Sequence, residues 1–146
     1  MDENLERLDE RSLRDIKERI AASPFHTWFG MRLLSVGVGD AQMVVDLDER
    51  HLNMQGIIHG GVIATVADTV IGLAVRSRLP AELALRTAHL SVNYLTEVEG
   101  GRLLVHGRTL HAGRRICHGE ADVVGEGGML TARASATFVV SPGGDP

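Results

Sequence analysis

Aromatic side chains are scarce in this 146-residue chain: one Trp, one Tyr and three Phe make up 3% of positions. That scarcity disfavours a base-stacking surface, and it leaves Val, Leu, Ile, Ala and Met to fill the core, with 17 Gly permitting close backbone approach. Cysteine occurs once, at Cys117, which excludes an intrachain disulfide and a thiolate zinc site built from one chain. A reducing cytosol suits such a chain. There is no excess of positive charge either: the formal net charge is -4 and the pI about 5.9, so no global field gathers phosphate backbones and nucleic acid is not expected as a partner. The first residues hold acids and no apolar stretch, unlike a signal or transit peptide, so the protein reads as untargeted and cytoplasmic. Met54 to Val75 lacks Lys, Arg and Glu, yet Gln55, His59, Asp68 and four glycines make it too polar for a membrane span. What remains, 44% hydrophobic and 23% charged residues, is the composition of one ordinary globular domain.

From Asn4 to Ala22 the apolar residues Leu5, Leu8, Leu13, Ile16 and Ile20 recur at helical spacing, and Glu10/Arg14 and Asp15/Arg19 form favourable i,i+4 pairs. An amphipathic helix lying on the domain is expected within residues 1–24, ended by Ser23-Pro24. Residues 31–38 and 41–48 read as strands joined by a turn at Gly39-Asp40. A glycine-bearing loop, Asn53 to Gly61, leads into an apolar helix from about Val62 to Leu79. Four more strand-like runs follow at roughly 85–95, 102–111, 114–124 and 129–140. In the last, Leu130, Ala132, Ala134, Ala136 and Phe138 alternate with Thr131, Arg133, Ser135 and Thr137. Short links imply antiparallel hairpins, and a helix apolar almost all round must be buried on several sides. The fold class is therefore α+β, a curved antiparallel sheet wrapped around one long central helix. Its free edges call for a dimer. The main domain spans 25–140, and the tail 141–146 is expected to be disordered.

Asp68 is the only formally charged side chain between Met54 and Val75, and an uncompensated buried carboxylate is heavily penalised. Gly61, Thr65, Gly72 and Arg76 share its helical face. It is either a structural carboxylate, hydrogen-bonded to loop amides, or a functional one; Arg76 lies two turns away, too far for a pair at ideal geometry. The glycines Gly60 and Gly61 place bare N–H groups at a helix N-terminus, where the dipole favours developing negative charge. They serve an oxyanion or simply a tight turn. His59 reads as a brace bonded to a backbone carbonyl in preference to a general base. With one Cys and no second His at ligand spacing, no metal site is expected. Asn53 and Gln55 are each able to donate an amide hydrogen bond to a carbonyl. No Gly-x-Ser-x-Gly elbow exists, so the nucleophile of any acyl chemistry is water or Asp68 itself.

The spacing Asn53-x-x-Gly56-x-x-His59-Gly60-Gly61, followed by Asp68 inside an apolar helix, resembles that of hotdog-fold acyl-CoA thioesterases of the PaaI-like, phenylacetate-pathway type. The resemblance continues through Thr87 to Leu95, Gly100-Gly101-Arg102-Leu103, Ala112-Gly113-Arg114-Arg115 and Ala134-x-Ala136-Thr137-Phe138, about residues 25–140 in all. It implies a helix wrapped by the sheet, subunits paired through their sheets, dimers often joined into tetramers, and a site spanning the dimer interface. In that site Gly60 gives its N–H to the thioester oxygen, helped by Asn53. Asp68 of the other subunit activates water or attacks directly, His59 holds the loop, and Thr87 positions the water. Burial of Asp68 is expected to be offset by amides or by Thr65. Gly61 and Gln55 are expected near the substrate, and Arg114 and Arg115, ahead of Arg102 and Arg108, are candidates for the coenzyme A phosphates. Coenzyme A is part of the substrate, and no separate cofactor is implied.

Phe25, Trp28, Phe29, Met31 and Met54 either line a pocket for an aromatic or medium-chain acyl group or belong to the core. Two alternatives share the fold, a hydratase or dehydratase and a non-catalytic acyl-CoA-binding module. The first is disfavoured by His59-Gly60-Gly61 in place of the His-Phe-Pro-Gly of the dehydratase branch. The second gains nothing from a buried carboxylate.

Overall fold

The structure, a computed structural model, describes residues 8–143. Asp9 opens the first helix, α1 (Glu10–Ala22), its carboxylate accepting the Ser12 N–H at 2.9 Å. The helix thus starts later than its apolar pattern suggests: Leu8 and Asp9 precede it, and residues 4–7 of the expected span lie outside the described residues. Ile16 is the face it buries. Ser23-Pro24 ends α1 as expected but also begins a second helix, α2 (Pro24–Phe29), which the sequence pattern does not reveal. The Ser23 hydroxyl accepts the His26 N–H, and Pro24 occupies the first turn, where its missing N–H costs nothing.

The strands β1 (Met31–Gly37) and β2 (Asp40–Asp46) pair as a hairpin. Its turn is Val38-Gly39, one residue earlier than expected, because Gly39 supplies the left-handed φ of 78° and Asp40 already pairs with Gly37. A 3₁₀ turn (Glu49–His51) and the glycine loop precede α3 (Gly60–Arg76). This helix starts two residues before the apolar run, because His59 caps it, and ends at Arg76 with Ser77 as C-cap, well short of Pro80. The strands β3 (Leu83–Tyr94), β4 (Arg102–Ala112), β5 (Ile116–Val124) and β6 (Leu130–Pro142) complete the sheet. The end of β6 corrects the expected tail: Ser141 and Pro142 pair with Ala84 and Leu83, while residues 144–146 lie outside the described residues.

The six strands run β1-β2-β4-β5-β6-β3, every pair antiparallel, around α3; this is the hotdog architecture. Val66, Ala67, Val70, Ile71, Ala74 and Val75 of α3 are completely buried, each large one worth about 1.5–3 kcal/mol of removed apolar surface. The approach is close because two facing positions carry no side chain. A Cβ on Gly107 would stand 2.8 Å from the Val70 backbone, and one on Gly119 2.6 Å from Ile71. The alternation read in β6 holds from Ala132 to Phe138. Thr131 departs from it, being buried with its hydroxyl donating to the Val123 carbonyl at 2.9 Å, beside the irregularity where β5 meets β6. The twelve-residue β3 forms one sheet edge, open along its whole length among the described residues. No helix among them is long and apolar enough to cross a membrane.

Candidate active site

Asp68 lies near the middle of α3, half-buried. Its partner is the hydroxyl of Thr87 on β3, which donates to Oδ1 at 2.9 Å and lies 3.3 Å from Oδ2. Thr65, expected in that role, instead gives its hydroxyl to the Gly61 carbonyl at 2.7 Å, the habitual i−4 bond of a helical threonine. Arg76 is turned to the Leu83 and Pro80 carbonyls and is no partner of Asp68. Burial pushes the Asp68 carboxyl above its ordinary range, and the Thr87 hydrogen bond opposes that shift in part. A carboxylate so shifted is more basic than one in water, as a proton acceptor needs.

At the other end of the helix, His59 is an N-cap. Its Nδ1 accepts the Gly61 N–H at 2.8 Å. The brace therefore works through a backbone amide and not through a carbonyl, because the orphan donors of the first turn need acceptors. The Gly61 N–H is thereby committed to His59. The next donors are also taken, Val62 N–H by the His59 carbonyl and His59 N–H by the His51 carbonyl. Gly60 N–H alone of this group has no acceptor among the described residues.

Asn53 turns its carbonyl oxygen inward, where Oδ1 accepts the Gln55 N–H at 2.8 Å and the Ile57 N–H at 3.3 Å. This organises the loop and leaves the two Nδ2 hydrogens for a ligand. Gln55 contributes its backbone to that turn, and its exposed side chain lines, with Leu52, Asn53, Met54, His59 and Gly60, an open cleft of about 560 Å³. A second cleft of about 710 Å³, between α1 and the end of α3, is bounded by Asp15, Arg19 and Arg76 and contains none of these groups.

Two residues at this end escaped the sequence reading. The Tyr94 hydroxyl donates to the Gly60 carbonyl at 2.7 Å, with its ring against the Gly60 Cα; a Cβ there would meet it at 3.3 Å. The imidazole of His51 is 1% exposed and bonded at both nitrogens. Tyr94 has no local sequence signal, whereas one bond of His51 belongs to the local Asp48-x-x-His51 capping box and only its bond to the Phe29 carbonyl is brought about by the fold.

Arg114 and Arg115 sit at the tip of the β4–β5 hairpin, exposed and without an ion pair among the described residues. The Arg115 carbonyl accepts the Val140 N–H, two residues beyond the Cys117–Phe138–Thr87 row, so this tip lies at the Asp68 end of the sheet. Arg102 and Arg108, the weaker phosphate candidates, each have carboxylate partners: Arg102 is held by Asp46 at 2.7 Å, and Arg108 by Glu120 and Asp122. Phe29 and Met31 are core residues, while Phe25, Trp28 and Met54 are exposed.

The two groups suited to acyl chemistry are thus the free Gly60 N–H and the Asp68 carboxylate. Eight residues separate them along α3, about 12 Å at the helical rise. A carbonyl carbon must lie within about 3.5 Å of its attacking group while its oxygen bonds the donor. On one chain the two groups therefore stand about two helical turns apart.

Three comparisons bear on this arrangement. The model of the thioesterase superfamily matches residues 55–132, the glycine loop through the start of β6. The Salmonella typhimurium protein named medium/long-chain acyl-CoA thioesterase YigI is 28% identical, over 80% of this chain and 85% of its own length. A mutant of the phenylacetic acid degradation protein PaaI from Thermus thermophilus superposes with a TM-score of 0.73 at 25% identity, covering 80% of this chain and 98% of that one. The PaaI protein of the Escherichia coli phenylacetic acid degradation operon gives a TM-score of 0.84 at 18% identity, covering 93% and 97%.

Proposed function

The chain belongs to the thioesterase superfamily as a PaaI-like hotdog thioester hydrolase, and from that premise we propose that it hydrolyses acyl-CoA, with an aromatic or medium-chain acyl group, to free acid and coenzyme A. The carrying observation is the pair of reactive groups on one helix, a free N–H at its start and a hydroxyl-held carboxylate about 12 Å further on. That distance supports a site assembled from Asp68 and Thr87 of one protomer and Asn53 and Gly60 of its partner. The open β3 edge is the surface on which two sheets would join, and a dimer of dimers is the expected assembly.

The thioester oxygen accepts from Gly60 N–H and Asn53 Nδ2. Asp68 removes a proton from water as the hydroxide adds to the carbonyl carbon, and the tetrahedral oxyanion rests on the two donors. One such donor is worth roughly 3 kcal/mol in the transition state. Collapse breaks the C–S bond, and the coenzyme A thiolate takes the proton from Asp68. Direct attack by Asp68, with a mixed anhydride that water then cleaves, uses the same groups. Thr87 holds the carboxylate in either route, and His59 keeps the helix start capped. Arg114 and Arg115 reach toward the coenzyme A phosphates. No further cofactor is required, and the lone Cys117 accords with a reducing cytoplasm. The acyl range is supported by the medium/long-chain acyl-CoA in the name of the Salmonella relative, by the likeness to proteins named for phenylacetic acid degradation, and by the apolar residues Leu52 and Met54 of the cleft.

The experiment is thiol titration of coenzyme A released from phenylacetyl-, hydroxybenzoyl- and hexanoyl- to dodecanoyl-CoA, comparing wild type with Asp68→Asn. Turnover by wild type and a loss of about 10²–10⁴ in kcat for the variant, with binding retained, are expected. Full activity of Asp68→Asn would overturn the mechanism, and binding without turnover by wild type would overturn the activity.

A further inference from the structure

Among the described residues His51 and Cys117 are fully buried titratable side chains that the chemistry above does not use, and His51 is the one hydrogen-bonded at both ends of its side chain. Its hydrogen bonds define the tautomer of the neutral ring. Nδ1 accepts the Asp48 N–H at 3.0 Å, so in the neutral ring the proton sits on Nε2, which donates to the Phe29 carbonyl at 2.8 Å. The Phe29 ring meets the imidazole edge to face, with centroids 5.2 Å apart. The ring thus ties the last residue of α2 to the 3₁₀ turn, two elements with no strand pairing between them.

The backbone of the same residue begins the glycine loop. Its carbonyl accepts the His59 N–H at 2.9 Å, Leu52 bridges Ile58, and Asn53 N–H donates to the Ile57 carbonyl at 2.8 Å. The loop is therefore a small hairpin whose base is His51 paired with His59. Asn53 rides two residues above that base on one arm, and Gly60 follows the other arm directly. The relative position of the two thioester oxygen donors is set where this hairpin is anchored, and the buried polar side chain that ties its base to α2 is His51, beside the more exposed Arg50, which donates to the Trp28 carbonyl, and the packed side chain of Ile58.

We propose that His51 is a positioning residue, which through its two ring hydrogen bonds fixes the hairpin base and so holds the Asn53 amide and the Gly60 N–H at one point in space. This rests on the reading of those two groups as donors to the thioester oxygen. Removing either ring bond lets the base shift against α2, and a displacement near 1 Å in a reacting geometry costs about 10²-fold in rate. Substrate binding, which draws on coenzyme A contacts elsewhere, is nearly unaffected.

The test compares kcat and KM for one hydrolysed acyl-CoA in His51→Phe, His51→Gln and His51→Asn, alongside Asp68→Asn, with circular dichroism and thermal melting on each. His51→Gln retains a donor toward Phe29, and His51→Asn an acceptor toward Asp48, so both keep one ring bond if His51→Phe fails to fold. The expected result is kcat lowered about 10- to 100-fold in His51→Phe, with KM changed less than about 3-fold, and partial recovery in one of the amides, at temperatures where every variant is folded. A kcat within about 2-fold of wild type in the folded variants, or a loss that follows only the unfolded fraction, overturns the proposal. Asp68→Asn separates the two levels: its loss of turnover with His51 variants unaffected refutes His51 alone, whereas its full activity refutes the reading beneath.

Discussion

His59 can be a cap or a base, and the structure distinguishes the two roles through a single substitution. As a cap, its Nδ1 satisfies the Gly61 N–H at 2.8 Å, one of the four donors that α3 leaves orphaned at its start. His59→Ala strips that acceptor, which costs about 1 kcal/mol and lowers the melting temperature by roughly 2–4 °C in a chain of this size. The neighbouring Gly60 N–H loses its fixed direction, so activity falls as well. His59→Asn places an amide oxygen at the N-cap, a residue type that favours that position, and restores both the melting temperature and most of the turnover. The assay is calorimetry together with coenzyme A release on the three proteins. Wild-type stability in His59→Asn with turnover as low as in Asp68→Asn would refute a purely capping role and assign His59 to proton transfer, and a melting temperature left as low as in His59→Ala would refute the cap.

Three further outcomes follow from the same geometry. Because burial raises the Asp68 carboxyl above its unfolded value, its ionisation works against folding: the stability it contributes is present below the ordinary carboxylate range and lost as pH rises through the folded pKa. Asp68→Asn is therefore expected to melt higher than wild type at pH 7, with the gap closing in acid; calorimetry showing a lower melting temperature at pH 7 contradicts this. Gly107→Ala forces a Cβ to 2.8 Å from the Val70 backbone, which cannot yield as a side chain would, and should cost about 1–3 kcal/mol in urea unfolding; a change under about 0.5 kcal/mol would show α3 free to shift. The double variant Arg114→Ala/Arg115→Ala should raise KM for acyl-CoA several-fold and leave acyl-pantetheine hydrolysis unchanged, since only the former carries the nucleotide phosphates. An equal effect on both substrates removes these arginines from phosphate binding.

The strands were legible because period-two alternation survives wherever one face meets α3, and the helix because its apolar run has no other home. The loop was legible from Asn53, His59 and the glycines. Misreadings arose where a residue had two uses. Pro24 ends one helix and opens another, and only the Ser23 hydroxyl turning to His26 decides between them. Helical spacing offered Thr65 to Asp68, yet a helical threonine satisfies itself on the carbonyl four residues back, so the partner came from Thr87, across the fold on β3. His51 and Tyr94 bond backbone carbonyls 22 and 34 residues away, contacts that no local pattern encodes.

In the proposed mechanism Asp68 and the oxygen donors of one site come from different protomers. Asp68→Asn and Asn53→Ala, each nearly inactive alone, should be mixed, dissociated in mild denaturant and allowed to reassociate before coenzyme A release is measured. Random pairing makes about half of the dimers hybrid, each with one intact site, so activity should recover to about a quarter of wild type. No recovery in hybrids shown to have formed would mean that each site belongs to one chain.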